Sequence, residues 1–194
     1  INKKLEPSWS KFDKTDLRHL EYVKVLGGEV FISPNFEPFI DYLDERRGLE
    51  NITLELATNG SGIPQGTLLD KLQRFKFLYI NVSLDSTTTA NDYQRQGSNH
   101  TRILDNYNKL ESVFERKHLS IHSTQSILTA HTLARTLTDL DKLQYPYTVD
   151  FVIDPDHLNI QCATPEYKQW IRESNKGNSV ALNMINNHLK IDKY

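Results

Sequence analysis

The chain has 194 residues, enough for one domain with a sizeable core. Hydrophobic residues make up 38% and charged residues 25%, with a formal net charge of -2. That balance gives no electrostatic reason to expect nucleic acid or an anionic membrane surface as partner. No apolar run approaches the roughly 20 residues that a membrane-spanning helix needs. The single cysteine, Cys162, excludes a disulfide framework or a multi-cysteine metal site within these residues, and it favours a reducing, cytoplasmic setting.

The pattern in chain order is a helix, then strands and helices in alternation. Asp13 to Tyr22 is helix-like, with Leu17 and Leu20 on one side. Five short apolar runs read as strands: Tyr22–Leu26, Ile52–Ala57, Phe77–Leu84, Leu119–His122 and Thr148–Ile153. Several are nearly continuous in apolar or β-branched residues, as strands covered on both faces are. Ser33-Pro34 supplies an N-cap and a first-turn proline for a helix carrying Phe36, Phe39, Ile40 and Leu43, which Gly48 can end. Pro64 opens a second helix with Leu68, Leu69 and Leu72. Thr101 to Lys117 forms a third, with Ile103, Leu104, Tyr107, Leu110 and Phe114 on one face, and Thr132 to Leu143 a fourth. Thr164-Pro165 repeats the start signal, so 164–194 reads as a C-terminal helical extension of a single domain. Thr58–Gly66 and Ser86–Thr101 read as loops.

Alternation of this kind means right-handed crossovers and a parallel sheet, with ligands at the C-terminal strand ends. Polar sets stand at those ends. Gly27-Gly28-Glu29 follows the first strand; the glycine pair lets backbone approach a ligand, and Glu29 can pair with an ammonium group. The plain alternative is a turn with a surface glutamate. Thr58-Asn59-Gly60 ends the second strand, either as a structural turn or as hydrogen-bonding groups. Ser83 and Asp85 fall on one side of the third strand by its period of two, where two acceptors suit ribose hydroxyls. Asp85 could instead cap the turn at Ser86–Thr89. Arg95, in the loop that follows, can take a carboxylate in planar, bidentate fashion or simply be solvated. The seven histidines show no metal-ligand spacing, and no nucleophile-elbow pattern supports a hydrolase.

In this order, Val25-Leu26-Gly27-Gly28-Glu29, Thr58-Asn59-Gly60, Val82-Ser83-Leu84-Asp85 and Tyr93-Gln94-Arg95-Gln96-Gly97-Ser98 resemble the radical S-adenosylmethionine (radical SAM) superfamily. Pro155-Asp156-His157-Leu158-Asn159-Ile160 is similar to a segment of its short, twitch-type members. The resemblance implies an α/β fold, a partial (β/α)6 TIM-like barrel of parallel strands. It implies S-adenosylmethionine as cofactor: Gly27, Gly28 and Glu29 at the methionyl amino group, Arg95 at the carboxylate, Ser83 and Asp85 at the ribose with Thr58 and Asn59 beside them, and Thr124 and Val152 along the adenine or substrate side. In that family a 4Fe-4S cluster delivers the electron that cleaves the sulfonium and yields a 5′-deoxyadenosyl radical.

Three departures stand out. No three-cysteine loop is present, so these residues cannot ligate that iron–sulfur cluster alone. The count of five strands lacks the family's first strand, and both absences place the missing piece before Ile1. Val30 stands where a proline usually follows Gly-Gly-Glu. The expectation is the S-adenosylmethionine-binding core of a radical SAM enzyme acting on an unknown substrate, a peptide by analogy. A non-catalytic scaffold and an unrelated α/β binding protein are the alternatives.

Overall fold

The computed structural model describes residues 16–27, 29–115 and 118–190. Its frame is one sheet of five parallel strands in sequential order: β1 (Tyr22–Val25), β2 (Thr53–Thr58), β3 (Phe77–Ser83), β4 (Leu119–Gln125) and β5 (Tyr147–Phe151). The helices are α1 (Phe36–Arg47), α2 (Gly66–Leu72), α3 (Thr89–Gln94), α4 (His100–Val113), α5 (Leu133–Leu143), α6 (Pro165–Ser174) and α7 (Ser179–Lys190). This is the α/β arrangement of parallel strands that the alternation predicts, consistent with the partial TIM-like barrel that the resemblance implies. A sequential parallel order keeps the crossovers on one side of the sheet. Accordingly one sheet face is buried and the other is not.

On the covered face, Leu54 and Leu56 of β2, Ile80 and Val82 of β3 and Ile121 of β4 are fully enclosed. They pack with Ile40 and Leu43 of α1, Leu72 of α2 and Ile103, Tyr107 and Leu110 of α4. The opposite face is a half-open polar belt. Lys24 lies 2.7 Å from Glu55, which also accepts from Asn81 at 3.1 Å and from the Tyr22 hydroxyl. Further across, His122 Nδ1 pairs with Thr148 Oγ1 at 2.9 Å. The strands therefore alternate apolar and polar, although several looked almost continuously apolar.

Several elements are shifted from their expected bounds. Residues 16–21 form a turn instead of the end of a helix, because the Asp16 carboxylate binds both the backbone and the guanidinium of Arg18 and so competes with helical bonding. Residues 13–15 lie outside the described set. Ser33-Pro34 does not open α1: Val30–Ile32 makes a short turn that Ser33 closes, and the helix starts after Asn35. Likewise α2 begins at Gly66, two residues after Pro64. Ser86–Thr101 contains α3 as well as loop, and α4 spans His100–Val113 instead of Thr101 to Lys117. Thr164 does cap α6, accepting from the Tyr167 amide, with Pro165 in the first turn.

A second cluster joins α5, α6 and α7 through Leu133, Leu137, Ile171 and Ile185. Two histidines are packed into it. His188 stacks on Phe151 at 4.5 Å, and His131 on Trp170 at 4.7 Å, with the His131 Nδ1 buried and lacking a hydrogen-bond partner among the described residues. Burial lowers both imidazoles from their ordinary value of 6.5. The folded state thus favours their neutral forms, and the unfolded chain takes up protons first as pH falls. Their contribution is complete above about pH 6.5 and is lost as the solution is acidified through it. The unfolding temperature should fall between about pH 7.5 and about pH 5.5, and His188→Gln should flatten that slope. An unchanged slope in the variant would remove His188 from the account. Among the described residues no helix is long and apolar enough to cross a membrane.

Candidate functional site

The strands are parallel, so the residues that end β1 to β4 meet along one rim. Two knots of hydrogen bonds form there. The first ties Glu29, just past β1, to the end of β2. Thr58 Oγ1 donates to the Glu29 carboxylate at 2.6 and 2.8 Å, and the Asn59 amide donates to its Oε2 at 2.9 Å. The Phe31 amide adds a bond at 3.2 Å, so the same carboxylate caps the turn at Val30–Ile32. These three donors leave acceptor capacity on the two oxygens. Gly27, with φ at 93°, and Glu29 line a recess of about 270 Å³ that also touches Phe36 and Phe39. Gly28 lies outside the described residues.

The second knot is built on Asp85, two residues beyond β3 and 1% exposed. Its carboxylate accepts from Arg95 Nε at 2.6 Å, Arg95 Nη2 at 3.0 Å, Gln94 Nε2 at 2.5 Å and the Thr124 amide at 3.0 Å. Asp85 therefore neither caps the turn at Ser86–Thr89 nor presents a free carboxylate. It holds Arg95 by one edge of the guanidinium. Nη1 has no hydrogen-bond partner among the described residues, and Arg95 lines a recess of about 290 Å³.

Asn59 joins the two knots. Its amide is bonded to Glu29, and the residue lines the same recess as Arg95. Glu29 and Arg95 thus line two separate hollows with no wall residue in common, linked by the bond from the Asn59 amide to Glu29. Ser83 closes β3 on the uncovered face. Thr124 is bound to Asp85 through its backbone. Val152 follows β5 and donates its amide to Gln125 at 2.9 Å, apart from both knots.

Sequence reasoning left Gln94 without a role, although it stands beside Arg95. Its Nε2 reaches Asp85 and its Oε1 accepts from Ser126. It also left Asn91, whose side chain accepts from the Asp85 amide at 3.0 Å. The shared motif around Arg95 was the available signal for Gln94. Nothing local marks Asn91.

No protein-family model matches the chain, and no curated protein matches it. Solved structures do match. The structure described as anSMEcpe with bound AdoMet aligns with a TM-score of 0.58 at 14% identity, over 86% of this chain and 46% of that one. Native anSMEcpe with AdoMet and the Cp18Cys peptide aligns equally well. Streptococcus suis SuiB bound to S-adenosylmethionine gives a TM-score of 0.54 at 13% identity, over 84% of this chain and 37% of that one. SuiB bound to the precursor peptide SuiA gives 0.53 at 15% identity. The chain spans less than half the length of these proteins. At such identities the likeness is one of fold, the partial barrel that the sequence resemblance implies.

Proposed function

We propose that this chain forms the S-adenosylmethionine-binding part of a radical SAM enzyme and grips the methionyl head of the cofactor across Asn59. The observation that carries this is that Asn59 bonds the Glu29 carboxylate through its amide and lines the recess of Arg95, so an acceptor and a set of donors stand on either side of one residue. An α-amino acid head needs an acceptor for its ammonium and a donor for its carboxylate. Glu29 offers the first, with acceptor capacity left beside its three bonds. Arg95 offers the second through its Nη1 side. Gly27 lines the recess beside Glu29 and has no Cβ to block close approach, and Gly28 enters the proposal only by its place in the sequence motif. In this reading Ser83 is assigned to the ribose, with Thr58 and Asn59 beside it, and Thr124 and Val152 to the adenine or substrate side. Asp85 serves this reading by orienting Arg95.

S-adenosylmethionine, when bound, supplies the adenosyl group of the family's chemistry. Glu29, Arg95 and Asn59 fix its orientation. The iron–sulfur cluster does not fit these residues: it needs several thiolates, and Cys162 is the one cysteine. Among the described residues no three His, Cys, Asp or Glu side chains gather as metal ligands. The second reading is a scaffold that binds S-adenosylmethionine without radical chemistry. Formation of 5′-deoxyadenosine by the reduced full-length protein selects the enzyme, and binding without it selects the scaffold. A peptide substrate belongs to the proposal on the strength of the peptides bound to anSMEcpe and SuiB.

Glu29→Gln in the full-length protein should weaken S-adenosylmethionine binding by about tenfold to a hundredfold, the worth of one charge-assisted contact. Equilibrium dialysis measures it. A wild-type protein that does not bind the compound ends this reading.

A further inference from the structure

The recess beside Arg95 holds a second arginine that no motif identifies. We propose that Arg102 is a second cation for the cofactor's carboxylate and sets the preference for ligands that carry one. The proposal rests on the methionyl-head reading above. The recess is lined by Asn59, Arg95, Ser98 and Arg102 among others, with no Asp or Glu in its walls. Arg95 brings hydrogen bonds but no net charge, because Asp85 sits 2.6 Å behind it. Arg102 has no ion-pair partner among the described residues, so it is the uncompensated charge of the hollow. One such charge matches one carboxylate.

The backbone fixes Arg102 in place. It stands in the first turn of α4, where the Asn99 side chain accepts from its amide at 2.8 Å. The His100 amide is likewise taken by Asp92 at 2.6 Å. Those two amides are therefore occupied, which leaves the Arg102 side chain as the charged donor that α4 brings to the recess. Arg102 also borders a wider groove of about 630 Å³ whose walls include Glu37 and Asp105. Glu37 is committed to Thr67 at 2.6 Å and Lys71 at 2.9 Å. Asp105 is the competing acid, and no ion pair between it and Arg102 forms.

The rival is a solvated arginine on a helix surface, and the two make different predictions. Arg102 is exposed and helical, so Arg102→Ala should fold as the wild type does, which circular dichroism checks. Equilibrium dialysis of the full-length protein against S-adenosylmethionine and its decarboxylated analogue then decides. The variant should bind S-adenosylmethionine about tenfold more weakly while its affinity for the analogue stays the same. Arg102→Lys should keep part of the preference. Equal losses for both ligands, or no loss for either, overturn the assignment. If Arg95→Ala weakens binding and Arg102→Ala does not, the role of Arg102 falls and the methionyl reading stands. If the wild type binds neither ligand, both fall.

Discussion

Asp85→Ala should cost about 3 kcal/mol of stability and lower the unfolding temperature by about 6–12 °C, while also weakening S-adenosylmethionine binding. The side chain is 1% exposed and accepts from Gln94, from Arg95 twice and from the Thr124 amide. Alanine leaves a guanidinium and an amide without their acceptor, and an uncompensated buried charge is far costlier than a missing surface pair. Water offsets part of this, because the Arg95 side chain is 32% exposed. That places the cost toward the lower end of the buried-pair range. Asp85→Asn keeps the shape but loses the charge and one acceptor oxygen, and should fall between. A double-mutant cycle with Arg95→Ala isolates the pair, since removing Arg95 second should cost much less than removing it first. If the two losses simply add, the Asp85–Arg95 link is not what holds this corner.

That link was beyond the reach of local pattern. The period of two put Ser83 and Asp85 on one side, but β3 ends at Ser83 and the alternation does not continue to Asp85. Its partners lie ten residues on, at Arg95, and across the sheet, at Thr124. Glu29 shows the same limit. The Gly-Gly-Glu run marked the position, yet its partners at Thr58 and Asn59 come from the next strand's end. Strand existence was far more legible. Tyr22–Leu26 against Tyr22–Val25 differs by one residue at one end, and Ile52–Ala57 against Thr53–Thr58 by one at each end, because β-branched and apolar clusters between turn signals leave few options. The reading of both faces as covered was less sound: Lys24, Glu55, Asn81 and His122 all point to the open belt. Helix α3 was missed because Thr-Ala-Asn-Asp-Tyr-Gln has no apolar period. It is held by the Thr88 cap and by Asn91, which is fully buried against Asp85. The start of α1 was misplaced because the adjoining Glu29 carboxylate caps a separate turn, Val30–Ile32, ahead of it.

Gly60→Ala should be nearly as damaging as the loss of Asp85, at about 2–4 kcal/mol, through a different mechanism. Gly60 has φ at 71°, a left-handed conformation that costs any residue with a Cβ. Space is lacking too: a Cβ there would stand 2.8 Å from Ile103 Cγ2 and 3.0 Å from Val82 Cγ1. Neither the turn nor the helix can easily yield. The Gly60 amide donates to Thr58 Oγ1 at 3.1 Å, and its carbonyl accepts from the buried Asn106 side chain of α4 at 2.8 Å. Strain at this turn reaches the adjoining Asn59, whose amide is bonded to Glu29 and which lines the Arg95 recess, so S-adenosylmethionine affinity should drop together with stability. Adding Ile103→Ala separates the causes. It removes the closer of the two contacts and leaves the backbone cost and the Val82 contact, so the double variant should lose clearly less than the sum of the single ones. Thermal unfolding of the four proteins measures this. Strict additivity would mean that α4 does not press on the turn, and the packing that sets Asn59 between the two knots would need another origin.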